Sequence, residues 1–188
     1  MSNIIDHIEK YCGPIAEGWA SYPDGRKMPF QIVRTEGGPY EGSRTFLTLG
    51  LSSHALDSGY PPKLIRHELL MLTEADYNSG GIPSILEQLG EEALAKNTAY
   101  LRGEVISRRG ELLRGSKMDA IYITSPSYFP EGFHKVIVEA LGAVIFAWLI
   151  PIYASEVKFI EEKGWGYFED RLVESNPDLL DFARPAVV

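Results

Sequence analysis

A single cysteine, Cys12, occurs in the 188 residues. That excludes an internal disulfide and any paired-cysteine zinc site, and it fits a reducing compartment. Long apolar runs are missing too. The longest uncharged, mostly apolar stretch, Ala140–Ala154, has fifteen residues and is interrupted by Pro151, too short to span a bilayer as a helix. Cations are in deficit: 18 Lys and Arg stand against 26 Asp and Glu, a formal charge of −8. Such a chain repels phosphate backbones, so direct nucleic-acid binding is not expected. Asp6 and Glu9 fall within the first ten residues and leave no secretory apolar segment there. A cytoplasmic location without membrane association is expected.

Catalytic motifs are equally scarce. His67-Glu68 begins an HExxH pattern, but position 71 is Met, so two histidines cannot share a helix face around a metal. On a strand, Arg66 and Glu68 would share one face and could pair with each other or with cross-strand charges. Ser52 and Ser53 precede His54 without the G-x-S-x-G elbow. Gly37-Gly38 and Gly115-Ser116-Lys117 complete no phosphate loop. His7, His54, His67 and His134 lack metal-ligand spacing. Glu161-Glu162 and Glu169-Asp170 are paired carboxylates, but both fall in an acidic helical section and read as solvated faces. No catalytic residue, metal or cofactor is therefore expected. The alternative is a small hydrolase or other enzyme using His54 or His67 with a carboxylate.

What is present describes an ordinary globular chain. Apolar residues make up 45%, charged 23% and aromatic 11%, which reads as one domain over residues 1–188. Ile4, Ile5, Ile8 and Tyr11 recur at helical spacing and predict a helix over Asn3–Cys12, stopped by Gly13-Pro14. Strands are expected at Ile15–Ser21, Phe30–Thr35 and Thr45–Leu51, an antiparallel meander punctuated by Tyr22-Pro23-Asp24-Gly25 and Glu36-Gly37-Gly38-Pro39. A strand at Leu64–Leu72 precedes a helix from Pro83 to about Leu101. The stretch Arg102–Lys117 holds five basic residues, Arg109 among them, and two acidic ones, Glu104 and Glu111. Strands at Ala120–Thr124 and Val144–Ile152 follow. Ser155–Asp181 reads as helical, with eight acidic residues against three basic, and is broken at Gly164 and Asn176-Pro177. This order gives α+β: a mixed, largely antiparallel sheet with flanking helices.

The segment Ser125–Phe133 packs three aromatics and two prolines into nine residues. Folded back, its rings form a cluster beneath the loop; projecting, they form a rigid aromatic surface for a partner. On the second reading the partner-binding residues are Tyr128, Phe129, Glu131 and Phe133, helped by Arg114 and Ser116. The two loops flank the strand Ala120–Thr124 at opposite ends, so a single patch requires the longer one to fold back.

Several blocks occur in order. They are Gly38-Pro39-Tyr40-Glu41-Gly42 running on to Thr48-Leu49-Gly50-Leu51-Ser52, Arg66-His67-Glu68-Leu69-Leu70, and Tyr128-Phe129-Pro130-Glu131-Gly132-Phe133. Then come Phe146-Ala147-Trp148-Leu149-Ile150-Pro151-Ile152, Gly164-Trp165-Gly166-Tyr167-Phe168-Glu169-Asp170, Pro177-Asp178-Leu179-Leu180-Asp181, and Arg184-Pro185. Together, over residues 38–185, they resemble the Suppressor of Fused domain family. The resemblance implies a mixed sheet with flanking helices and a protein-binding role. Single-domain bacterial members look like immunity proteins that neutralise a toxin, often a nuclease. The animal member's extra lobe is not matched, so transcription-factor binding is not carried over. The resemblance brings no catalytic residues. The function expected is thus a cytoplasmic immunity protein that binds a cognate toxin, and the acidic charge suits a basic partner.

Overall fold

The computed structural model describes residues 3–77, 80–108 and 112–188; Arg109 and Glu111 of the basic stretch lie outside the described residues. The first helix, α1 (Ile4–Cys12), is capped by Asn3, whose Oδ1 accepts from the Ile5 amide at 3.2 Å. Then come β1 (Ile15–Ser21), β2 (Lys27–Thr35) and β3 (Ser43–Leu49), paired antiparallel. A two-residue strand β4 (Leu56–Asp57) leads to β5 (Leu64–Glu74), and α2 (Ile82–Lys96) follows with Pro83 in its first turn. The second half runs β6 (Val105–Ser107), β7 (Ala120–Thr124), β8 (Lys135–Val138) and β9 (Gly142–Ile152), then α3 (Ala154–Lys163) and α4 (Trp165–Ser175).

The strands form one mixed sheet in the order β1-β2-β3-β5-β9-β7-β6, with β4 beside β5 and β8 beside β9. The β5–β9 pair is parallel, and the other described pairs are antiparallel. Period-two alternation sends successive side chains to opposite faces. Tyr122, Trp148 and Ile150 pack with α1, α3 and α4 on one side; Ile121, Ile123 and Leu149 pack with α2 on the other. Trp148, expected inside an apolar strand, is 1% exposed. On the α2 side Gly90 allows the helix to lie directly on Phe30, because a Cβ there would fall 2.3 Å from the ring.

Most predicted elements stand within a few residues of their expected ends. Three strands were not anticipated. β4 and β6 are two and three residues long, too short for a periodic pattern. β8 forms a hairpin with β9. The second helix ends at Lys96 rather than near Leu101. Asn97 adopts a left-handed conformation (φ 50°), and the chain then pairs with Asp57: the Ala99 amide donates to the Asp57 carbonyl at 2.9 Å. Gly50, also left-handed, closes β3 before Leu51.

Candidate functional site

A cleft of about 620 Å³ opens on the face that carries α4. Its floor comes from alternate residues of β7 and β9: Tyr122, Thr124 and Ile150. One wall is α4 and the chain beyond it, with Glu169, Leu172, Val173, Asn176, Pro177 and Leu179. The opposite wall is the Ser125–His134 loop.

The α4 wall is fixed from below and at one end. Phe168, fully buried, meets Tyr122 edge-on with 5.2 Å between ring centroids. Glu169 Oε1 accepts from Tyr122 OH (2.8 Å), Thr124 Oγ1 (2.9 Å) and Arg102 Nε (3.1 Å), while Oε2 accepts from Arg102 Nη2. Burial alone would raise the Glu169 carboxyl, but the donors Arg102, Tyr122 and Thr124 together hold it below its ordinary value. Burial and the Glu169 charge push the Tyr122 phenol up. The Arg102 guanidinium also lies over Trp165, 5.1 Å from the ring centroid. Gly103 (φ 94°) admits that ring, since a Cβ would lie 2.6 Å from it.

The aromatic loop divides its residues between two roles. Phe129 and Phe133 are buried, with 4.1 Å between centroids, and Phe133 lies 4.7 Å from Phe146. His7 Nε2 sits 3.0 Å from the Phe133 carbonyl, which ties the loop to α1. These two phenylalanines support the loop from beneath and offer no surface to a partner here. Tyr128 is half-buried in the cleft wall, against Trp148 (4.8 Å) and Tyr40 (5.3 Å). Its hydroxyl donates to the Pro177 carbonyl and accepts from the Leu179 amide, both at 3.3 Å. The loop is thereby joined to the segment after α4. Glu131 is exposed on the cleft's rim.

The remaining two expected site residues lie elsewhere. Ser116 is buried; its hydroxyl donates to the Phe182 carbonyl at 2.7 Å and accepts from the Met118 amide. Arg114 is exposed and borders a separate cleft of about 150 Å³ with Glu74 and Phe182. The longer loop therefore does not fold back to join the aromatic one. Residues that sequence reading missed are Arg102, Tyr122, Leu172, Val173 and Glu169, the last taken for part of a solvated helix face. Alternation along β7 sets Tyr122 and Thr124 on one face, but no local signal makes that face a floor or places α4 over it.

Of the residues of the enzyme alternative, His67 and the adjacent Glu68 are committed to the interior. His67 is fully buried, stacked beside Tyr100, and its ring nitrogens meet no described partner at hydrogen-bond geometry. Burial pulls its pKa down to about 4, opposed by the Tyr100 backbone. Glu68, also buried, accepts from Thr48 Oγ1 (2.5 Å), Ser52 Oγ (2.7 Å), and the Gly50 and Ser52 amides. Burial pushes its carboxyl up against those donors. Ser52 is thus a buried donor to a carboxylate. The expected Arg66–Glu68 pair does not form; Arg66 instead donates to the Ser52 and Ser53 carbonyls. His54 is exposed. Among the described residues no His, Cys, Asp and Glu cluster is arranged to hold a metal, and no helix is long and apolar enough to cross a membrane.

The family model described as Suppressor of fused protein (SUFU) matches residues 26–185. Solved structures share the fold. A SUFU (suppressor of fused protein) homolog from Neisseria gonorrhoeae FA 1090 aligns with a TM-score of 0.76 at 17% identity, over 98% of this chain and 94% of that one. Drosophila Suppressor of Fused aligns at 0.69 and 14% identity, over 98% of this chain but 50% of its own length. A chain of the Sufu-Fu complex aligns at 0.68 and 15% identity, over 90% of this chain and 82% of that one. No curated protein sequence matches.

Proposed function

We propose that this chain, which belongs to the Suppressor of fused family, is a protein-binding module that seats a basic partner in the cleft between α4 and the Ser125–His134 loop. The partner proposed is a cognate toxin, and the chain then acts as a cytoplasmic immunity protein by direct binding. It works by occlusion, not by a reaction of its own.

The observation that carries this reading is the cleft's construction. Its floor and walls are held by buried rings and by the Glu169 network, while apolar surface stays open at the rim: Val173 on α4 is 80% exposed. A fixed, partly apolar concavity loses little side-chain freedom when a partner enters, which favours affinity. Glu131 on the rim and Asp170 on α4 are exposed carboxylates, and a net charge of −8 speeds encounter with a basic protein. The Sufu-Fu structure is itself a complex, which supports binding as the mode of action.

The test begins with identification of the native partner by pull-down. Binding is then measured calorimetrically for Val173→Lys and Glu131→Lys, with Arg114→Glu as the distant control. The cleft variants should weaken binding at least tenfold and the control should not. If the partner is a toxin, co-expression should protect cells, and Val173→Lys should lose protection while remaining folded. Equal affinity across all variants refutes the cleft; an identified partner without toxicity refutes the immunity role.

A further inference from the structure

The opposite face of the sheet carries a second concavity, about 450 Å³, between β1 and the start of α2. Its base is apolar: Met28, Ile32 and Phe46, with Trp19 lying nearly parallel to Phe46 at 6.5 Å and still 36% exposed. Its rim is acidic, with Glu17 and Glu87 and no lysine or arginine among the described lining residues. Glu17 is paired with Arg34. Glu87 and Glu91 stand one turn apart on α2, and neither makes a described ion pair; Glu91 accepts from Tyr22 OH. The adjacent Glu92, by contrast, holds both Lys96 and Arg108. Burial and the Glu91 charge together push the Glu87 carboxyl up.

We propose that this groove is a second protein-docking surface, and that its occupant is a partner segment carrying a lysine or arginine beside an apolar side chain. The apolar group lies on Trp19 and Phe46; the cation reaches Glu87 and Glu91. Such a cation relieves a like-charge pair that has no ion-pair partner among the described residues. Docking is through side chains rather than by strand addition. β1 is an edge strand, but its ladder with β2 shifts register on both sides of Glu17–Trp19, and such bulges blunt an edge against further pairing. The inference rests on the chain being protein-binding, not on the α4 cleft being its seat.

The probe is an acetylated, amidated hexapeptide alternating leucine and lysine, titrated into the full chain and followed by amide and indole NMR shifts. The control peptide replaces lysine by glutamate. Saturable shifts are expected at the Trp19 indole, in β1 and along residues 84–91, with the lysine peptide only. Trp19→Ala and Glu87→Lys should each weaken binding at least tenfold with melting temperature retained, while Val173→Lys in the cleft changes nothing. Absence of saturable shifts, equal binding of both peptides, or shifts confined to the α4 cleft overturns the proposal. So does dimerisation of the free chain through this groove, abolished by Trp19→Ala. Failure of the cleft variants in the earlier test, with this titration intact, leaves the groove standing.

Discussion

Removing the Glu169 carboxylate should loosen α4 by an amount the structure allows one to work out. In Glu169→Ala three donors lose their acceptor at once: Tyr122 OH, Thr124 Oγ1 and the Arg102 guanidinium. They do not contribute equally. Arg102 is 54% exposed and returns to water, so its share is under about 1 kcal/mol. Thr124 is half-buried and can turn toward solvent. Tyr122 is fully buried, and stranding its hydroxyl costs roughly 1–3 kcal/mol. The net loss expected is about 3 kcal/mol, which for a chain of this length lowers the melting temperature by roughly 6–12 °C. Scanning calorimetry of the wild type, Glu169→Ala, Tyr122→Phe and the double variant measures it. The two single losses should fail to add, since they remove the same hydrogen bond. The pH dependence has a definite sign. The folded carboxyl titrates below the ordinary 4.5, so its contribution is complete above that value and fades as pH falls through the folded value. The gap between wild type and variant should close in acid. A melting difference under about 2 °C at neutral pH, or a gap that widens in acid, would refute the reasoning.

Other outcomes follow from the same structure. His67, neutral in the core with a folded pKa of about 4 against an ordinary 6.5, favours the fold above about pH 6.5 and loses up to ~3 kcal/mol as pH falls to 4; urea titrations of His67→Leu should show a flatter stability profile across that window. Phe133→Ala should destabilise by about 3–5 kcal/mol, read in thermal melts, whereas exposed Val173→Lys should stay within about 0.5 kcal/mol of wild type. Arg184 and Glu156, 2% and 0% exposed, form a two-pronged ion pair at 2.8 and 3.0 Å. Glu156→Met alone should cost about 3–5 kcal/mol by leaving a buried guanidinium unpaired, and adding Arg184→Met should recover most of it in denaturant unfolding.

The sequence by itself determined the elements that short-range chemistry controls. Asn3 capping and Gly13-Pro14 bracket α1; short apolar runs rich in β-branched and aromatic residues mark β7, β9 and most of β5; left-handed Asn176 and Gly164 fall at the breaks expected in the acidic section. Burial of Trp148 was legible because an uninterrupted apolar strand has no solvent face. The aromatic density of Ser125–Phe133 marked the right loop, but only tertiary packing sorted its residues. Phe129 and Phe133 turn inward because α1 and Phe146 supply rings for them, while Tyr128 stays at the wall because the backbone after α4 supplies partners for its hydroxyl. The same holds for the sites themselves. Arg102, Tyr122 and Glu169 are up to 67 positions apart, and the pairing of Trp19 with Phe46 requires β1 to fold against β2 and β3. No local pattern encodes such contacts, because they exist only once the parallel β5–β9 register and the placement of α2 and α4 on opposite faces have been fixed by burial of the two cores.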